Sequence, residues 1–423
     1  MLRRVRAPSA ALIARYAALV LVDLACTRGG APPASGPSPN ADIRVVRVSL
    51  GTMPTVLVSA TDDWRITDGD ANVVARGRSG DRISVSAAGG VIRLVQPGGS
   101  TRELSSRLSL VAASPTATIS VNQRRYRGEL SIVGADSGVQ IVNRLSVEAY
   151  LRGVVPRELG VRGSSDRAAL EAQAVAARSY AIARLGNTSR AFDVTSTTSD
   201  QVYGGVDAEY ALADAAVAAT SGLVLMYDGR VVSAPYFSTC GGSTAAPDEI
   251  WRERGEPFLQ RVSDRIPGSD RFYCDIAPRF RWERSWQGDT LTAIVERYLR
   301  TYATVPAGPV GRVRDVSIDG RTPSGRVAAI RVETDRGRYR VRGNDIRYVL
   351  RSPGGELLNS TYFSAEVVSA PDGRLARLTT RGRGYGHGVG LCQWGAIGRA
   401  RAGQDFRTIL RTYFPGTSIA RAY

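Results

Sequence analysis

Short runs in which apolar and polar residues alternate fill the chain from Ile43 to about Val142: IRVVRVSL, TVLVSA, ISVSA, VIRLV, ATISV and GELSIV. β-Branched residues dominate these runs, and Gly, Asp and Pro clusters separate them, so the pattern predicts a β-rich portion over residues 43–142. The period then changes. In NRLSVEAYLRGVVPREL, Ser146 stands where an N-cap side chain takes a backbone N–H that the first helical turn cannot pair. Leu145 and Tyr150 occupy the two positions of a hydrophobic staple. A short helix from about Val147 follows. Pro156 lacks an N–H and crowds the preceding turn, so it is expected to end or redirect that helix and leave Glu158 just past an element end.

Residues 167 to 185 contain neither Gly nor Pro. Leu170, Ala174, Ala177, Ala181 and Leu185 recur at three- and four-residue steps, the buried stripe of a helix capped by Asp166 and stopped by Gly186. Gln173 and Tyr180, seven apart, share another face of it. A second alanine-rich helix is predicted from about Ala208 to Thr220. Beyond it, LVLMY and RVVSAPYF flank Asp228-Gly229, a two-residue hairpin signal, and the second run ends in SerThrCysGlyGly (238–242).

Residues 246–375 hold a helix around Leu291–Tyr302 and the strands VRDVSI, VAAIRVET and RYRVR. Trp251, Trp282 and Trp286 read as packing residues before sugar-stacking ones. Glycine then occupies 382, 384, 386, 388 and 390. In an extended chain that arrangement bares the backbone on one face and presents Arg383, Tyr385, His387 and Val389 on the other, a candidate groove wall. CysGlnTrpGlyAla (392–396) starts a helix ending at Gly403, and Asp405 caps a last one stopped by Pro415-Gly416.

The expected class is therefore α+β. A β-rich N-terminal portion (43–142) joins a mixed helix/strand core (143–245), which carries a smaller α+β insertion (246–375). A C-terminal glycine ribbon and helices (376–423) complete the core. Ahead of these, Arg3, Arg4 and Arg6 followed by an apolar run make residues 1–26 a signal peptide. Leu24-Ala25-Cys26 resembles the end of a bacterial lipoprotein signal, although Asp23 stands where such signals are apolar. A plain signal peptide and a lipid anchor at Cys26 are equally compatible with it. Residues 27–42 read as a Gly/Pro/Ser-rich tether.

Charge changes this picture little. The chain of 423 residues carries a net charge of +17, and its 56 basic residues are all arginine. They run from Arg3 to Arg421 without a dense block, so no nucleic-acid partner is expected, and the membrane is approached only through Cys26. His387 is the sole histidine and no C-x-x-C pair occurs, which argues against a zinc site with closely spaced ligands. Of the four cysteines, Cys240 with Cys274 is the favoured disulfide, with Cys240–Cys392 the other pairing.

The chemistry centres on Glu158, followed by the long helix and the hydroxyl-rich FDVTSTTSDQVYGG. Gln173, Arg178, Tyr180, Gln201 and Tyr203, together with Tyr385 and His387 from the glycine ribbon, are the candidate substrate-binding residues. An ion pair of Glu158 with Arg157 or Arg178 is the structural alternative to a reacting role.

Five blocks, YLRGVVPREL, ALEAQAVAARSYA, FDVTSTTSDQVYGG, the SerThrCysGlyGly corner, and GYGHGVGLCQWGA followed by YFPGT, together resemble the family of the sporulation stage II protein D and the amidase-enhancer proteins. They occur in the family's order. The resemblance implies an extracytoplasmic lytic transglycosylase acting on peptidoglycan glycan strands, with Glu158 as the catalytic glutamate. The enhancer name in the family suggests an alternative, a non-catalytic cell-wall-binding protein that stimulates an amidase, although retention of Glu158 favours the first. Some members bind zinc through histidine and cysteine in the loop before QVY. Residues 195–201 contain neither, and no metal or other cofactor is expected in this chain. A glycosidase ordinarily uses two carboxylates. A transglycosylase works with one, and Asp193 and Asp200 are the second carboxylates to consider for a hydrolase.

Overall fold

The computed structural model describes residues 44–423 apart from 97, 106, 187, 252 and 253. The signal peptide, Cys26 and the tether lie outside the described residues. Residues Asp42–Tyr423 form one compact unit. Among the described residues no helix is long and apolar enough to cross a membrane.

The alternating runs of the first hundred described residues build two sheets. One has seven strands in the spatial order Val194–Thr195, Val45–Met53, Gly138–Ser146, Glu129–Ala135, Leu108–Ala112, Trp64–Thr67 and Val73–Gly77. The other has six: Arg124–Tyr126, Ile119–Val121, Thr55–Ala60, Ile83–Ala88, Val91–Val95 and Thr101–Leu104. Every second residue points inward. Val46 and Val48, Val56 and Val58, Ile83 and Val85, Leu108 and Leu110, and Leu130 and Ile132 are all fully buried, and the sheets pack against each other through these faces. This is the period-2 pattern of sheets with one solvated face.

The sheet delivers the helical core directly. Strand Gly138–Ser146 runs without a loop into α1 (Val147–Leu159). Ser146 caps α1, its Oγ accepting the Ala149 N–H at 3.2 Å, while Leu145 and Tyr150 are both buried. Pro156 does not end the helix, contrary to the sequence expectation. Helix α1 continues through it, so Glu158 sits inside the last turn and Gly160 closes it at φ 78°. An interior proline costs ~3 kcal/mol. Leu151, Val154, Val155 and Leu159 are buried on the same helix, each contributing about 1.5–3 kcal/mol, so burial outweighs the local penalty.

Helix α2 (Arg167–Ile182) packs on α1, and α3 (Ala211–Ala219) packs on both. Asp166 precedes α2 but does not cap it. Its carboxylate instead accepts two hydrogen bonds from Arg401, at 2.7 and 3.0 Å. The Asp228-Gly229 hairpin forms as expected, with φ 52° and 73° at the turn. A short helix α4 (Pro247–Ile250) leads toward a second core, whose buried members run from Trp286 to Leu378. There α5 (Gly288–Tyr302) presents Leu291, Ile294, Val295 and Leu299 to the interior, with α6 (Asp345–Val349) beside it and two three-stranded sheets. Trp286 and Trp282 belong to this core or pack against it.

Helices α7 (Gln393–Arg401) and α8 (Phe406–Tyr413) return to pack on α2. Asp405 caps α8 through the Thr408 N–H at 2.7 Å. The glycine ribbon corrects the extended-chain expectation. Gly384, Gly386, Gly388 and Gly390 adopt φ of 83°, 112°, 102° and 81°, so the chain bends at alternate residues rather than exposing one bare face. At Gly390 a side chain is excluded twice, by its positive φ and by the Pro235 carbonyl oxygen, 2.1 Å from where a Cβ would stand. The bends let Leu391–Cys392 pair in parallel with Tyr236–Phe237.

Candidate active site

A cavity of about 1300 Å³ opens over the end of α1. Its lining combines Glu158, Tyr180, the loop Thr198–Asp200, the hairpin residues up to Ser238, Trp251, Asn344 and Arg347 from the second core, and Tyr385, His387 and Gln393. Cavities that hold one small ligand span roughly 300–1,000 Å³, so this one has room for a longer ligand.

Glu158 is partly buried, and its carboxyl is held from three directions. The Val202 N–H donates to Oε1 at 2.6 Å, and the side chains of Gln393 and Tyr236 approach it as further donors that favour its charged form. These donors and the charge of Arg157 favour the carboxylate, but desolvation is larger and lifts the group to about 7. The carbonyl end of α1, which disfavours a negative charge, acts in the same direction. The structural alternative fails for Arg178. That side chain is fully buried and forms a fork with Glu148, Nε to Oε1 at 2.7 Å and Nη2 to Oε2 at 2.8 Å.

The other candidate residues separate into two groups. Tyr180, Tyr385 and His387 line the cavity with Glu158. Gln173, Arg178, Gln201 and Tyr203 do not, and all four are buried. Gln201 lies one layer behind: its Nε2 donates to Tyr236 Oη at 2.9 Å and its Oε1 accepts from Tyr150 Oη at 3.1 Å. Gln173 Oε1 accepts from Gln393 Nε2 at 3.3 Å. The two glutamines thus orient the residues that touch Glu158. Tyr203 is a core residue, its ring 5.1 Å from that of Tyr150 and its hydroxyl donating to Asn143.

His387 is placed in the wall but is not free to exchange protons. Its Nε2 faces the Tyr236 carbonyl at 3.0 Å and its Nδ1 accepts the Val389 N–H at 3.2 Å. Burial, then Arg347 and Arg326 nearby, push the imidazole down to about 3. It is a neutral ring wedged between Phe237 and Trp251, at centroid distances of 5.2 and 5.1 Å.

The second carboxylates are also accounted for. Asp193 is ion-paired with Arg47 at 2.7 Å and does not line the cavity. Asp200 does line it, but accepts from the Thr195 N–H and hydroxyl, both at 2.9 Å, and from Tyr180 Oη at 3.1 Å. Asp228, Glu256 and Glu356 are exposed residues of the lining. Sequence reasoning assigned no role to Tyr236 or Gln393. Both lie in motifs that it singled out, but their approach to Glu158 depends on contacts spanning 78 and 235 residues of chain.

The raised Glu158 has a measurable consequence. Its folded value of about 7 lies above the ~4.3 of an unfolded glutamate. The folded state therefore holds the proton between these values, and the associated stability is complete below about 4.3 and lost as pH rises through 7. At pH 8 the desolvated carboxylate opposes folding by at most about 4 kcal/mol, less after discounting for its partial exposure. Glu158→Gln is expected to raise the melting temperature over wild type at pH 8 and to leave it nearly unchanged at pH 4. Calorimetry giving the same difference at both pH values would contradict this assignment.

A wide cleft that carries, at the end of α1, one partly buried carboxyl raised to about 7 is chemically able to give and take a proton there. Residues 135–227 match the family model described as Stage II sporulation protein, and residues 260–390 match a domain of unknown function. The chain is 30% identical over 293 residues to the Amidase enhancer of Bacillus subtilis (strain 168), which covers 64% of this chain but 40% of that protein. It is 30% identical over 301 residues to an uncharacterized protein of Brachyspira hyodysenteriae, covering 71% of this chain and 73% of that one. Against the Stage II sporulation protein D of Bacillus subtilis (strain 168) it is 29% identical over 300 residues, covering 67% and 77%. The chain belongs to the family of stage II sporulation protein D and the amidase enhancers.

Proposed function

We propose that this protein is a lytic transglycosylase that cleaves peptidoglycan glycan strands between N-acetylmuramic acid and N-acetylglucosamine, with Glu158 as its single acid/base. The observation that carries this reading is the environment of Glu158: a carboxyl raised to about 7, in a cavity of about 1300 Å³, with Asp200 engaged by its own loop. Glu158, protonated, donates to the glycosidic oxygen as the bond to the muramic C1 breaks. The muramic C6 hydroxyl closes on C1, and its proton passes to the Glu158 carboxylate, which regenerates the acid. The net result is a 1,6-anhydro ring and a free hydroxyl on the departing sugar, with no water consumed. A group that gives and takes back one proton works best with a value near the operating pH, and burial is the ordinary way to bring a carboxyl there. Val202 N–H, Tyr236 and Gln393 hold it, and Tyr180, Trp251 and Tyr385 offer aromatic faces along the cavity. The protein acts outside the cytoplasm, exported by residues 1–26, either secreted or anchored through Cys26.

A second reading, a cell-wall-binding protein that stimulates an amidase, rests on the similarity to the Amidase enhancer of Bacillus subtilis. Digestion of purified peptidoglycan by the full chain, with products identified by mass spectrometry, separates the two. Anhydro-muramic ends are expected. Reducing ends would mean hydrolysis and bring Asp200 into the mechanism. Binding without any product, together with faster cleavage by an added amidase, would favour the second reading.

A further inference from the structure

Next to the cavity, but not part of it, three sulfurs and a carboxylate converge. Cys240, Asp264, Cys274 and Cys392 are all fully buried, and one ligand atom from each lies within 4.8 Å of every other. Cys240 Sγ is 3.4 Å from Cys274 Sγ and 3.6 Å from Asp264 Oδ2. The favoured Cys240–Cys274 disulfide is not formed: these two residues and Cys392 are free thiols. We propose that Cys240, Cys274, Cys392 and Asp264 are the four ligands of a structural zinc ion.

The dimensions fit. Zinc–sulfur bonds of ~2.3 Å in a tetrahedron put sulfurs about 3.8 Å apart, against 3.4 Å between Cys240 and Cys274 Sγ and an upper bound of 4.8 Å for every other pair of ligand atoms. The surroundings are those of metal-bound thiolates. The Gly242 N–H points at Cys240 Sγ at 3.4 Å, and the Cys240 and Gly395 N–H groups point at Cys392 Sγ at 3.2 and 3.3 Å. Asp264 divides its oxygens. Oδ1 accepts from Tyr413 Oη at 2.7 Å and from Arg399 Nη2 at 3.1 Å, which leaves Oδ2 toward the sulfurs. Such an outer hydrogen-bonded shell orients a carboxylate to bind through one oxygen.

A disulfide between two of the cysteines would leave the third thiol and a fully buried carboxylate without a common partner, whereas one cation engages all four. Three thiolates select a soft or borderline ion, and four protein ligands with no open position describe structural rather than catalytic zinc. The ligands come from the SerThrCysGlyGly corner, from two points in the segment 264–274, and from the residue before α7. Cys392 adjoins Gln393, which touches Glu158, and Cys240 lies four residues after Tyr236, which also touches it. The ion would therefore pin two of the three groups that hold Glu158. The inference rests on these four residues alone and stands whether or not the proposed glycan cleavage is correct.

The test uses the full chain carrying Cys26→Ser, so that every counted thiol belongs to the cluster. Elemental analysis after dialysis is expected to find one zinc per chain, released as an organomercurial titrates three thiols. Cobalt(II) exchange should give thiolate-to-cobalt charge-transfer bands and the intense visible bands of a tetrahedral ion. Cys392→Ser should weaken zinc retention by at least about tenfold. Should that variant fail to fold, the analysis of the parent chain still decides. A metal-free chain with two thiols missing would establish a disulfide and overturn the proposal. Three free thiols that take up no zinc, or a stoichiometric metal other than zinc, would overturn it equally.

Discussion

Glu158→Gln is expected to lower the rate of anhydro-muramic product formation by about 10²–10⁴-fold, the usual contribution of a positioned acid/base, while leaving binding to glycan strands nearly intact. The substitution keeps shape and an acceptor oxygen for the Val202 N–H, which lies 2.6 Å from Oε1. It removes only the exchangeable proton, so the loss should fall on kcat rather than KM. The proposed mechanism also fixes the pH dependence. The free enzyme must carry the proton, and burial sets that group at about 7. kcat/KM is then flat below about 7 and falls tenfold per pH unit above it. A two-carboxylate glycosidase would add a falling limb on the acid side, because its second group must be ionised. A bell-shaped profile, or a Glu158→Gln variant within a few-fold of wild type, would remove Glu158 from the role of sole acid/base.

Much of the local structure was legible in the sequence because local forces decide it. Ser146 and Asp405 cap their helices, Asp228-Gly229 turns its hairpin, and α5 buries one periodic face, all within a few residues of the signal itself. The failures share one cause. Pro156 carries a local rule that the burial of α1 overrode. Asp166 reads as a cap until Arg401, 235 residues away, claims both oxygens. The glycine ribbon alternates in sequence like a strand, yet its glycines take positive φ because the chain must close on Pro235. No short-range pattern reports such distant partners.

The candidate site divides along the same line. Helix periodicity put Gln173 and Tyr180 on one face of α2, and only Tyr180 reaches the cavity. Gln173 and Gln201 are polar residues in a helix and a loop, where sequence favours exposure, but each is fully buried behind a residue that contacts Glu158. The cysteines illustrate the limit most clearly. Their spacing excludes any compact metal motif, and only the folded chain assembles them with Asp264.

Arg178→Met is expected to destabilise the protein by about 2–3 kcal/mol, below the full cost of breaking a buried ion pair from one side because the Glu148 side chain stays 27% exposed, without raising KM for glycan in the fraction that folds. Arg178 is fully buried. It donates twice to Glu148 and also to the carbonyls of Leu223 and Val217, at 3.1 and 3.3 Å. Its loss leaves Glu148 with the Tyr423 hydroxyl and the Gly222 N–H as donors. Glu148 is held below the ordinary carboxylate range: burial alone would raise it, but Arg178 and the other donors outweigh that. The stability this pair supplies is therefore present above the unfolded value of ~4.3 and lost as pH falls through the lower folded one. Denaturant midpoints should show the variant weakest relative to wild type near neutrality, with the gap narrowing in acid. Adding Glu148→Leu to Arg178→Met should recover part of the loss, since an apolar pair replaces a buried ionic one at little net cost. A stable Arg178→Met protein with a KM raised tenfold would return Arg178 to the substrate cleft; unfolding at unchanged KM keeps it where α1, α2 and the strand at Leu223 meet.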